Sequence, residues 1–111
     1  MAKLYCRLFV DCALSREQLT KQIASIVSGQ TWRFTVSADW GEVDVRENDD
    51  WDHASTEQQD GFLYYRFSND IEPHETTDRE SYIAGVGNLI KGLRSLGCKV
   101  VPACDFENEV N

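Results

Sequence analysis

The hydrophobic period changes several times along this chain, and the order of those changes limits the fold more than any other feature. Residues 3–12, KLYCRLFVDC, alternate: Leu4, Cys6, Leu8, Val10 and Cys12 share one face, and Tyr5, Arg7, Phe9 and Asp11 the other. That period of two predicts a strand. Ser15-Arg16-Glu17-Gln18 has the form of a capping box, and Leu19, Ile23, Ile26 and Val27 follow at helical spacing, with Gly29 as a stop. Residues 32–46 return to alternation, interrupted at Asp39-Trp40-Gly41 by a turn or bulge. Residues 47–60 read as a loop. The run 61–68, GFLYYRFS, is dense in aromatics on both parities and reads as a central strand. Residues 69–76, with Pro73, read as another loop. A second capping box, Thr77-Asp78-Arg79-Glu80, opens a helix whose stripe is Ile83, Val86, Ile90 and Leu93, ending at Gly97. Residues 98–104, CKVVPAC, form a last strand, which Pro102 marks as an edge.

Strand, helix, strand, strand, helix, strand is the ferredoxin-like split βαβ order, βαββαβ. It predicts an α+β fold: one domain over 1–111, a four-stranded antiparallel sheet, and two helices on one face. The first and third strands are central, and the other face of the sheet is open. The length of 111 residues fits one domain with its own core. Apolar runs are only a few residues long, and Arg7 and Asp11 interrupt any secretory h-region. The expectation is therefore a cytoplasmic chain without a membrane span. A pI near 4.6 argues against direct binding to nucleic acid or an anionic membrane surface. It is compatible with a basic protein partner.

The charge is local. Residues 39–60 carry nine carboxylates (Asp39, Glu42, Asp44, Glu47, Asp49, Asp50, Asp52, Glu57 and Asp60) against Arg46, a net of −8 that equals the whole chain's. An EF-hand register starting at Asn48 fails at His53, where glycine is needed, and at Gln59, where glutamate is needed. Adjacent acids in a polar loop lack the burial that would divide acid and base roles between them. His53 and His74 sit among acids as protonatable surface residues, and no nucleophile elbow or phosphate loop is present. The expectation is no catalytic residue, no cofactor and no metal. Cys6 and Cys12 are spaced like Cys98 and Cys104, so a register that sets Cys6 against Cys104 also sets Cys12 against Cys98. Core packing as reduced thiols is the expected use, with a disulfide or a metal as alternatives. Trp32 reads as core. Trp40 and Trp51 bracket the acidic stretch, as plugs of the core edge or as anchors for a partner.

With NDDWD at 48–52, DGFLYYRF at 60–67 and ACDFENE at 103–109, the chain resembles bacterial immunity proteins of contact-dependent growth inhibition and polymorphic toxin systems. The resemblance implies a stoichiometric inhibitor of a cognate toxin domain, commonly a nuclease, that occludes the toxin's basic active site or substrate surface. The residues expected to bind are Trp40, Asp44, Glu47, Asp49, Asp50, Trp51 and Asp52, with Asp105, Glu107 and Glu109 as a second patch. Two alternatives stand beside it. One is a ligand-binding module or small enzyme using Tyr5, Phe9, Tyr64 or Tyr65 on the open sheet face. The other is an assembly subunit that pairs through an edge strand.

Overall fold

A computed structural model of the chain describes residues 4–56 and 60–111. Its elements are β1 (Cys6–Asp11), α1 (Arg16–Val27), β2 (Gln30–Trp32), β3 (Thr35–Ala38), β4 (Gly41–Asp44), β5 (Phe67–Pro73), α2 (Arg79–Ser95), β6 (Lys99–Ala103) and α3 (Glu107–Val110). Short 3-10 turns occupy His53–Ser55 and Gly61–Tyr64. The α+β class stands. The sheet, however, has six strands rather than four, in the order β2-β3-β4-β5-β1-β6, each antiparallel to its neighbour.

The two extra strands come from the stretch around residues 30–44. It folds back twice, through Arg33-Phe34 and through Asp39-Trp40. Arg33 sits at a φ of 55°, in the left-handed region that short hairpin turns require. The central strand is also displaced. Residues 61–64 coil into a 3-10 turn, and the strand runs over FSNDIEP instead. Its Asn, Asp and Pro residues disfavour a strand locally. Pairing with β1 on one side and β4 on the other outweighs that preference. Pro73 ends the strand, and β6, with Pro102, does lie at a sheet edge.

Both main helices are capped as polar sequence allows. Ser15 and Gln18 exchange side-chain and backbone hydrogen bonds of 3.1 and 2.9 Å. The second cap is Asp78, one residue after Thr77, where the predicted box begins; its carboxylate accepts from the Ser81 N–H at 3.0 Å and hydroxyl at 2.8 Å. At the far end of α2, Gly97 takes a φ of 88°, which a side chain would strain.

Alternation in the strands sorts the sheet into two faces. Cys6, Leu8, Val10, Val36, Val43, Phe67, Ile71 and Val100 point to the helices and are buried with Leu19, Ile23, Tyr82, Val86, Leu89, Ile90 and Leu93. Tyr82 is the centre of this layer. Its ring packs edge-on to Trp40 at 5.8 Å and to Phe106 at 5.7 Å, and its hydroxyl donates to the Ile71 carbonyl. Among the described residues no helix is long and apolar enough to cross a membrane.

Candidate functional site

The other face of the sheet carries charge, and at its centre is Asp70 on β5. Its carboxylate accepts from the Tyr5 hydroxyl and from Arg7 Nε at 2.9 Å, and Arg46 Nε lies 3.4 Å away. Burial, then the contact with Asp70, pushes the Tyr5 hydroxyl pKa upward. The same carboxylate holds the Arg7 guanidinium more firmly charged. On either side of this network the register opposes like charges: Asp44 faces Asp70, and Glu42 faces Glu72. Directly opposed carboxylates repel, at a cost of a few tenths of a kcal/mol or more. The Arg7 and Arg46 contacts relieve the first pair. The Glu42 and Glu72 carboxylates share a hollow of about 140 Å³ with Tyr5, Asp44, Arg46 and Asp70.

One end of this face is roofed. Phe62 packs edge-on to Phe9 at 5.4 Å, so the 3-10 turn at Gly61–Tyr64 covers what would be an exposed phenyl ring. Asn48 ties the acidic loop to that roof. Its amide donates to the Leu63 carbonyl at 2.9 Å and the Tyr65 carbonyl at 2.8 Å, and its oxygen accepts from the Asp50 N–H. Asp52 N–H donates to the Tyr64 carbonyl at 3.2 Å. The acidic loop is thus bound to the roof of the sheet. Exposed Trp51, Leu63 and Tyr64 lie on these two tied segments, with Asp49, Asp50 and Asp52 exposed beside them.

The predicted residues divide accordingly. Asp44 lies on the open face and accepts from Thr35 Oγ at 2.6 Å. Asp44, Glu47 and Asp49 line one groove of about 670 Å³ with Trp32, Phe34 and Arg46. Asp50 and Trp51 project from the loop; Trp51 is 51% exposed, with the Arg66 guanidinium 5.7 Å above its ring. Asp52 does local structural work, accepting from the Ala54 N–H and Ser55 hydroxyl.

The tryptophans depart from the binding residues expected of the sequence. Trp40, read as a plug of the core edge or as an anchor and counted among the binding residues, is the plug: it lies against the core beside Tyr82 and over Gly85, where an added Cβ would sit 2.4 Å from the indole. It seals the helix side. Trp32, expected in the core, is 71% exposed on the edge strand, with Arg33 stacked at 4.9 Å. A three-residue edge strand presents its side chains to solvent, and no periodicity within three residues could reveal that.

His74 and Glu109 have structural partners, while Asp105 and Glu107 are exposed. His74 Nε2 lies 2.7 Å from the Ala38 carbonyl and pins the β3–β4 hairpin. Glu109 makes a two-point ion pair with Arg79, which lowers its pKa. With Phe106 and Val110 buried, the acidic C-terminal segment is docked on the core. Glu57 and Gln59 lie outside the described residues, as does the side chain of His53. Arg16 was missed by sequence reading: it donates to the Val45 carbonyl at 2.8 Å while stacking on Phe34 at 3.9 Å. Neither interaction has a motif. Among the described residues, no group of three or more His, Cys, Asp or Glu is placed to hold a metal ion.

No protein-family model matches the chain, and no curated protein or solved structure matches it either.

Proposed function

We propose that this protein is an immunity-type inhibitor that binds a basic toxin domain in the cytoplasm, a nuclease being the best fit, by covering its substrate surface. The observation that carries this reading is the opposition of Glu42 to Glu72 and of Asp44 to Asp70 across β4 and β5. A fold gains nothing from facing like charges. A surface that must meet Lys and Arg does gain, because complementary fields speed encounter toward ~10⁸ M⁻¹s⁻¹ at low salt. Exposed Trp51, Leu63 and Tyr64 supply apolar area on the segments that roof one end of this face, and exposed Trp32 adds more at the sheet edge. A few such anchors provide most of the energy in protein interfaces, with charges at the rim. Asp44, Glu47, Asp49, Asp50 and Trp51 keep the role expected of them; Glu42, Glu72 and Trp32 join them, and Trp40 and Asp52 leave. The sheet portion β4-β5-β1-β6, with its two helical crossovers, is read as a ferredoxin-like core to which the β2–β3 hairpin has been added.

The small-ligand reading is less favoured. The hollow beside Tyr5 is small and lined by four carboxylates, and the larger groove is lined by Asp44, Glu47 and Asp49 with Arg16, Arg33 and Arg46, whereas ligand pockets are mostly apolar.

Co-expression tests the proposal. The carboxy-terminal domain encoded by the reading frame immediately upstream is produced with and without this protein, and growth is scored. Rescue together with a co-purifying complex is expected. Toxicity without rescue would overturn the immunity reading.

A further inference from the structure

The four cysteines serve no part of the surface just described, yet they meet in pairs. The β1–β6 register sets Arg7 against Ala103, Phe9 against Val101 and Asp11 against Lys99. Extended one step at each end, it sets Cys6 against Cys104 and Cys12 against Cys98. Leu8 faces Pro102, which has no N–H to give, so this parity is the non-hydrogen-bonded one. The Val100 carbonyl of the same parity accepts from Arg94 Nη2 at 2.8 Å instead. Non-hydrogen-bonded partners in antiparallel strands approach to ~4.5 Å between Cα atoms, inside the range a disulfide spans. Cys6 Sγ and Cys104 Sγ lie 3.0 Å apart, both as free thiols.

We infer that Cys6 and Cys104 are a disulfide-forming pair, a modification site that fastens β1 to β6 when the chain meets a small-molecule disulfide such as oxidised glutathione. Cys6 is fully buried and Cys104 partly exposed, so the reaction starts at Cys104. Its thiol loses a proton, and the thiolate attacks one sulfur of the glutathione disulfide. A mixed disulfide forms on Cys104, and one glutathione thiolate leaves and takes up a proton. The Cys6 thiolate then attacks the Cys104 sulfur and releases the second glutathione thiolate, which is protonated in turn. Two protein thiols are oxidised and one glutathione disulfide is reduced to two thiols. Burial pushes the Cys6 thiol pKa up, as it does for Cys104. Little thiolate exists at neutral pH, so exchange is slow and the bond acts as a slow clasp. The closed loop takes in 98 residues of separation, nearly the whole chain, and long loops gain most from closure.

The purified full chain is equilibrated with oxidised and reduced glutathione, its free thiols are trapped, and its peptides are mapped. The expected result is a Cys6–Cys104 linkage, two thiols lost, and a Tm raised by roughly 10 °C. Cys12→Ser retains the shift and Cys104→Ser abolishes it. Four trapped thiols, linkage through any other pair, or linkage without a rise in Tm would each overturn the inference. The peptide map of the unsubstituted chain decides even where Cys104→Ser fails to fold.

Discussion

The two faces of the sheet are built from the same strands and obey opposite rules. On the helix side, β5 presents Phe67 and Ile71 to a layer closed by Tyr82, Val86 and Leu89. On the other side, the alternate residues of the same strand, Asp70 and Glu72, face Asp44 and Glu42. The first face is arranged to exclude water. The second is arranged with charges that the fold only partly neutralises, since Arg7 and Arg46 serve Asp70. On the proposed reading, stability and recognition separate by parity along one strand, and substitutions one residue apart should report different properties.

The largest effect is expected on the closed face. Tyr82→Ala removes a fully buried ring that touches Trp40 and Phe106, and should cost about 3–5 kcal/mol in guanidinium unfolding. A loss under ~1 kcal/mol would break the distinction between the faces. On the open face, Glu42→Lys with Glu72→Lys should weaken partner binding at least ~30-fold, on the order of 2 kcal/mol, with the unfolding midpoint nearly unchanged. A collapse of stability in that double variant would show the acids to be structural.

Asn69 sharpens the comparison, because it is a polar residue on the wrong face. It is fully buried on β5, and neither amide atom finds a hydrogen-bond partner among the described residues. A buried unpaired amide costs on the order of 1–3 kcal/mol. Asn69→Val should therefore raise stability by about 1 kcal/mol, read from the denaturation midpoint. A destabilised variant would reveal a use for the amide.

Glu72→Gln is a finer probe: removing one of two opposed charges should stabilise the fold by a few tenths of a kcal/mol, an increment that high salt should erase. The smallest effect belongs to the chain's periphery. Hydrogen bonds from Ser81 lower the Asp78 pKa, and Arg79 lowers that of Glu109. A carboxylate with a depressed folded pKa contributes above its unfolded value, ~4, and loses that contribution as pH falls through the folded value. The variant Asp78→Asn with Glu109→Gln should thus be less stable than the unsubstituted chain at pH 7, and the difference should shrink on acidification. A difference constant with pH would contradict the assignment.

Much of the fold was legible where one physical signal acted alone. The β1 alternation and the Ser15 cap are local, and both helices appeared where their spacing put them. The thiol register could be read because matching spacings in two strands constrain each other. The six-stranded sheet was not legible, because its extra strands are three and four residues long, too short for a period to emerge. The aromatic run at 61–65 carried the composition of a central strand but serves as a roof, a role set by the contact of Phe62 with Phe9. Asp44, Glu47 and Asp49 were found from charge density and do line one groove. Glu42 and Glu72 became visible as a pair only once β4 was laid beside β5, thirty residues later in the chain. Sequence left Trp40 open between plug and anchor, because the hairpin turn that places it over Gly85 joins two residues that do not signal each other; Trp32 was misread as core because its strand is too short to show which way it faces.

The claim that the open face is the recognition surface is tested most directly by association kinetics. The upstream-encoded domain is mixed in stopped flow with the unsubstituted chain and with the Glu42→Lys, Glu72→Lys variant, at low and high salt. The account predicts fast association of the unsubstituted chain that slows steeply as salt rises, and slow, nearly salt-independent association of the variant. Equal rates and equal salt slopes for the two proteins would contradict it.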